Sequence, residues 1–329
     1  MKFSLSTEQR DFADSLRGLL AGANTPAVVR SWGENDTAPG RELLTQLAET
    51  GVTALAIPEE YDGIAAHPAD LAVAFLELGR AAVPGPLVET AAAVPALLSA
   101  LGDQSLAKRF LPGIAEGTSL ASLVLEPSTP RALDADLADP VLRVSGDTLE
   151  LVRPTTQLES VDPARRLFEV EAVETLAQGP DVAAAAEQAY DLAVLAVSAQ
   201  LIGAGHAMID TATDYAKNRA QFGRVIGSFQ AVKHHLSDAK VAVEMATPLV
   251  YGAAIAIADG ADTVARDVSA AKVAAANAAY LASRKALQVH GAIGYTLECD
   301  LSLWLTKVRA LQSAWGTTAA HRARVASAL

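Results

Sequence analysis

Asn218-Arg219-Ala220-Gln221-Phe222-Gly223-Arg224 is followed about seventy residues later by Gln288-Val289-His290-Gly291-Ala292-Ile293-Gly294-Tyr295-Thr296. An arginine fork beside an aromatic ring suits a diphosphate attached to a flat ring system. A glycine-spaced turn closing a long helix lets backbone N–H groups approach a phosphate or a polyol chain. Each half also has a plainer reading. Arg219 suits a helix C-terminus through the dipole, and Gly291 and Gly294 suit a helix stop. Both halves occurring in order, each at the end of a long helical stretch, favour the joint reading.

Outward from this pair the chain is helical. Long segments fit residues 182–218, 228–258, 261–290 and 301–329, the content of an antiparallel four-helix bundle. Upstream, residues 119–173 break into short apolar runs separated by Gly, Pro and Asp, which predicts a small sheet of four or five strands. Before that, helices fit residues 7–20, 39–50, 68–79, 88–101 and 105–110, with Ser6 or Thr7 as the first cap. The predicted fold is mainly α: an N-terminal helical domain (1–114), a reduced middle β domain (115–180) and a C-terminal four-helix bundle (181–329).

Composition narrows the function. A net charge of −12 argues against nucleic acid as the main partner, because phosphate backbones require a basic surface. The single cysteine, Cys299, excludes an intramolecular disulfide and fits a reducing cytoplasm. The N-terminal residues carry no signal-peptide pattern, and apolar runs such as 91–98 are too short for a bilayer, so a cytoplasmic chain with no membrane partner is expected. His234 and His235 diverge by about 100° on a helix, and no His-x3-His spacing occurs, so no metal site is expected.

The paired segments, with the order helical, small β, four-helix, resemble the acyl-CoA dehydrogenase family. Leu5-Ser6-Thr7-Glu8-Gln9, Ile57-Pro58-Glu59-Glu60-Tyr61-Asp62-Gly63, Glu77-Leu78-Gly79-Arg80 and Phe110-Leu111-Pro112-Gly113 add to the likeness, which covers most of the chain. The resemblance implies FAD as cofactor. It gives Arg219 the role of a cation lent across a subunit interface to the FAD pyrophosphate, with Phe222 beside the adenine half and Gln230 nearby. Gln288, Gly291 and Gly294 match the loop around the ribityl and diphosphate portion, and Thr317 a threonine near the adenosine end. The family removes an α-proton and a β-hydride from an acyl-CoA thioester and passes the electrons to an electron-transfer acceptor.

The same resemblance exposes losses. The weakly acidic α-proton requires a positioned carboxylate as base. One family position for it directly precedes a Gly-Thr pair; here that residue is Trp315, before Gly316-Thr317. The other falls at Ala193. No Asp or Glu follows Asp300, and Glu187 and Asp191 are rotated away from Ala193 by about 240° and 200° along a helix. Asp191 and Glu298 are the fallback bases. In the middle domain, Leu125-Glu126-Pro127-Ser128 keeps only part of the family's flavin-side turn, and no tryptophan lies between Trp32 and Trp304. What is kept is what a subunit lends to its neighbour, and what is lost is what it would use itself. The chain thus resembles the short, base-less partner in α2β2 heterotetrameric members that degrade sterols. That implies a homologous full-length subunit carrying the base. Two alternatives stand beside this: a self-sufficient homomeric dehydrogenase with a displaced base, and a non-catalytic structural paralogue.

Overall fold

The computed structural model describes residues 5–329; residues 1–4, which carry part of the N-terminal reading, lie outside the described residues. Helix α1 (Thr7–Gly22) starts at Ser6, whose hydroxyl accepts from the Gln9 N–H while the Gln9 side chain accepts from the Ser6 N–H. This reciprocal cap satisfies two donors that a helix start leaves orphaned. Helix α2 (Thr25–Gly33) was not expected from the sequence. Asn24 takes a left-handed turn at φ 48°, which restarts the chain as a helix with Pro26 in its first turn. Then come α3 (Ala38–Glu49), α4 (Pro68–Arg80), a π-helical turn (Glu89–Ala93) running into α5 (Val94–Ala100), and α6 (Ser105–Ala115). The last of these continues through Pro112, five residues beyond the expected end.

The middle segment forms one sheet. Its strands are β1 (Ser122–Leu125), β2 (Ala132–Leu133), β3 (Val141–Ser145), β4 (Thr148–Leu158) and β5 (Leu167–Gln178), in the order β1-β3-β4-β5-β2. Only β1 and β3 are parallel. The two-residue β2 is too short to leave a sequence signal. The sheet's own apolar cluster is small, centred on Val124, Val141, Val152 and Phe168. It is tied to the helices by polar contacts: the Trp32 indole N–H donates to Asp134 at 2.8 Å, and Lys307 lies 3.8 Å from Asp162.

The rest is helical: α7 (Pro180–Asn218), a hairpin of β6 (Ala220–Gln221) and β7 (Arg224–Val225), then α8 (Gln230–Ala258), α9 (Val264–His290), α10 (Leu301–Leu311) and α11 (Thr318–Ser327). Helix α7 is the axis of the molecule, packing on α4, α5, α8 and α9. At its crossing with α4 the backbones touch. A Cβ at Gly203 would lie 1.9 Å from the Leu76 carbonyl, and one at Gly79 2.2 Å from the Gln200 carbonyl. Longer than the apolar runs visible in the sequence, α7 and α8 are both apolar enough, by length and composition, to cross a membrane. The most apolar window of α7 is 94 % buried by protein, as befits a core helix, whereas that of α8 is only 33 % buried.

One expectation fails in a useful place. The sequence predicts a single helix over 301–329, but the chain breaks between α10 and α11. Trp315 and Gly316 both take left-handed backbone, φ 55° and 95°. No proline marks the break. It is held instead by contacts from other elements, described next.

Candidate functional site

The two sequence segments meet at one end of the bundle. Tyr215, near the end of α7, stacks on His290, at the end of α9, with ring centroids 4.5 Å apart. This brings Arg219, just past α7, to the same end as the turn Gly291–Tyr295 that follows α9. The β6–β7 hairpin turns at Phe222 and Gly223, both at positive φ, and holds the Phe222 ring outward with 91 % of its surface exposed. Behind it, Phe229 meets Phe222 edge-on at 6.3 Å and carries the Arg224 guanidinium 4.1 Å over its ring. Arg219, Gln230, Gln288 and Gly291 are exposed too; Gly294 alone is packed, against Leu287 and His290. Gly291 sits at φ 65° with no heavy atom within 4 Å of where a Cβ would stand. Among the described residues no side chain of the protein closes over this end.

Residues Trp315 and Thr317 lie elsewhere. Trp315 is near Tyr190, 25 residues before Tyr215 on α7, and a rise of 1.5 Å per residue separates the two ends by roughly 38 Å. Thr317 is at that far end, its hydroxyl accepting from the Ala320 N–H as the cap of α11. One small cofactor cannot touch both ends of the same chain. The structure therefore does not bring Thr317 together with Arg219, Phe222, Gln230 and the 288–294 turn.

The far end is closed. Trp315 is buried, its carbonyl accepting from His321 Nε2 at 2.8 Å while Ser269 Oγ lies 3.1 Å from His321 Nδ1. These partners assign the neutral imidazole with the proton on Nε2, and burial holds His321 down at about 4. Lys272, also fully buried, donates to the carbonyls of Leu311 (2.6 Å) and Ala314 (2.9 Å), tying off the last turn of α10. Burial, and then the charge of Arg165, bring its ammonium down to about 7. A Cβ at Gly316 would stand 2.4 Å from the Tyr190 hydroxyl and 2.7 Å from His321.

A buried acid from a different region also stands at this end. The Trp315 indole N–H donates to Glu89 Oε1 at 3.2 Å, and Glu89 is 1 % exposed. Burial raises its carboxyl above the ordinary range, against the opposing charge of Arg165. Glu89 comes from the π-helical turn of the N-terminal region, outside both segments in which the resemblance places a base. A lone glutamate in the apolar run 87–98 was the available signal. Ala193 itself is buried on α7, one turn after Tyr190. Asp191 is directed to another side, where it pairs with Arg324 and walls a cavity of 580 Å³ with Glu187 and Leu192. Glu298 is exposed beyond the Gly291–Tyr295 turn.

The family models described as the N-terminal and C-terminal domains of acyl-CoA dehydrogenase match residues 6–118 and 183–329. Acyl-CoA dehydrogenase IpdE2 of Mycobacterium tuberculosis is 34 % identical over 303 residues, 91 % of this chain and 90 % of the relative. The fold is shared with the ChsE4-ChsE5 complex from Mycobacterium tuberculosis (TM-score 0.86, 21 % identity, 99 % and 98 % of the chains covered). It is shared too with the Tcur3481-Tcur3483 steroid ACAD (TM-score 0.85, 21 % identity, 97 % of each chain).

Proposed function

The chain belongs to the acyl-CoA dehydrogenase family, and from that premise we propose that it is a subunit without a base of its own, which completes the FAD site of a homologous full-length partner. The observation that carries this reading is the separation of the two ends of α7. The residues that suit a diphosphate and its flanking rings stand uncovered at one end. The position where a base would stand is filled by an indole at the other.

The open end fits FAD as a half-site. Arg219 supplies a fork for the diphosphate, Phe222 a face for the adenine half, and Gln230 and Gln288 polar contacts. Gly291 leaves room for close backbone approach. When bound, FAD supplies the acceptor for the hydride leaving the β-carbon of an acyl-CoA. The partner holds the glutamate that takes the α-proton and makes the thioester contacts. Assembly as α2β2 agrees with a second exposed feature: Val241, Met245 and Leu249 recur every fourth residue along α8, forming an apolar strip suited to a partner helix. Similarity to paired members, one of them a steroid ACAD, favours a sterol-derived CoA thioester as substrate.

A self-sufficient homomeric dehydrogenase is the second reading, and Glu89 gives it a more concrete base than Asp191 or Glu298. A third is a structural paralogue without flavin. Flavin content separates the three. The expected result is little FAD in the chain purified alone and about one FAD per heterodimer after co-production with its partner. One FAD per chain in the lone protein would overturn the shared-site reading, and none in either preparation would leave the structural paralogue.

A further inference from the structure

On the face of α7 turned away from Ala193 lies the 580 Å³ cavity that Asp191 walls. Leu55, Leu71, Ala96, Leu192, Ile257 and Val264, from the N-terminal helices and from the bundle, make most of its lining apolar. Small-molecule sites have this character: about 300–1,000 Å³, mostly apolar, with a few convergent polar groups. Here the charged groups on the wall are two carboxylates, Glu187 and Asp191, one turn apart on α7, and no cation lines it among the described residues. Asp191 is 9 % exposed. Its Oδ1 accepts from Arg324 Nη1 at 2.5 Å, while its Oδ2 has no hydrogen-bond partner among the described residues. Glu187 Oε2 accepts from Arg324 Nη2 at 3.2 Å, so two carboxylates share one guanidinium. Burial raises the Asp191 carboxyl above its ordinary range against the pull of Arg324, and the charge of Glu187 adds to the rise. Further charge nearby has the same sign. Helix α8 ends beside the cavity, presenting the negative end of its dipole, and its connection to α9 carries Asp259 and Asp262 with no Lys or Arg. The positive starts of α4 and α9 are closed by their own acids: Asp70 accepts from the His67 N–H, and Asp267 from the Thr263 hydroxyl.

We propose that this cavity binds an apolar primary amine as its ammonium, with Asp191 Oδ2 and the free oxygen of Glu187 accepting its N–H groups. The balance of charge selects the ligand. An ammonium brings three donors, no acceptor and the one positive charge that the carboxylate pair lacks. An anion would meet two carboxylates and, among the side chains of the wall, only the Gln188 amide as a donor. CoA thioesters and nucleotides are anions, so the cavity is not a second seat for substrate or cofactor. The apolar lining takes the carbon body of the amine, which then bridges the N-terminal helices and the bundle. The site stands apart from both parts of the shared-flavin reading. Asp191 is rotated by about 200° from Ala193, and it lies 28 residues, roughly 42 Å along α7, before Arg219.

The probe is 1-adamantylamine, a rigid apolar cage with one ammonium, which loses little conformational freedom on binding. It is titrated calorimetrically into the intact purified protein, with adamantane-1-carboxylate as the control of the same shape and opposite charge. The amine is expected to bind at least about ten-fold tighter than the carboxylate. Asp191→Asn keeps the shape and removes the charge, and is expected to weaken the amine about ten-fold or more, the worth of a charge-assisted hydrogen bond. Glu187→Gln, at a more exposed position, weakens it several-fold. Ala261→Trp, which fills the cavity from its half-buried wall, is expected to abolish binding. Equal binding of amine and carboxylate, no binding of the amine, or full binding by a folded Asp191→Asn protein would each overturn the proposal. Should Asp191→Asn fail to fold, the carboxylate control and Ala261→Trp still decide the matter. No readout here involves flavin, so this proposal and the shared-site reading stand or fall separately.

Discussion

At one end of α7, Arg219, Phe222, Gln230 and Gln288 stand in the open on a hairpin and a helix stop. At the other, Trp315, His321 and Lys272 are buried and hydrogen-bonded to one another's neighbourhood. Both ends carry positive-φ backbone, at Phe222, Gly223 and Gly291 in one case and at Trp315 and Gly316 in the other. At the closed end the protein's own side chains hold that conformation: a lysine across two carbonyls, an imidazole on a third, and an indole on a buried acid. At the open end no comparable set of contacts is present among the described residues. An unusual backbone stabilised from within is a structural element. The same kind of backbone left uncovered, with an arginine and an aromatic ring beside it, is what the proposed half-site rests on.

The contrast can be broken from either side. Trp315→Ala is the harshest change, because it removes a large buried ring and strips Glu89 Oε1 of its donor. A loss of about 3–5 kcal/mol is expected, read by urea unfolding. A loss below 1 kcal/mol would mean the closed end is not packed as described.

Lys272 sharpens the contrast through pH. Its folded value of about 7 lies below the ordinary lysine range near 10.5. Between those values the unfolded chain binds more protons than the folded one, so stability rises with pH, at most by about 1.4 kcal/mol per unit. Lys272→Met is expected to flatten the slope of unfolding free energy between pH 7.5 and 9.5. An unchanged slope would show that the ammonium is charged in the fold.

Phe222→Ala has the smallest effect on the chain itself. With 91 % of the residue exposed, stability is expected to stay within about 0.5 kcal/mol. Flavin retention by the assembled protein should nevertheless fall, as monitored by its absorbance after dialysis. A destabilised chain with normal flavin content would reverse the meaning of the open end.

Much of this architecture is legible in the sequence. The long apolar periods of α7, α8 and α9 and the glycine after His290 give the bundle, and the clustering of Arg219 with the 288–294 turn follows from the helix lengths. The shift from helical to short apolar runs marks the sheet. What escapes depends on single residues or on distant partners rather than on a repeating pattern. Helix α2 starts from a left-handed Asn24, and the break before α11 is held by Lys272, from α9, and by His321 of α11 itself. Glu89 meets Trp315 across 226 residues, a contact that no local pattern encodes. The resemblance groups Thr317 with Arg219, yet only the length of α7 shows that the two stand at opposite ends of one chain.

The central claim is that this chain contributes to flavin binding through the Arg219 end and not through the Trp315 end. It is tested most directly by FAD stoichiometry and affinity in the complex with the partner, comparing Arg219→Ala with Trp315→Phe in this chain. The expected result is a roughly 10- to 100-fold weaker flavin for Arg219→Ala, the worth of a charge-assisted hydrogen bond, and unchanged flavin for Trp315→Phe. Flavin lost with Trp315→Phe and retained with Arg219→Ala would contradict the account.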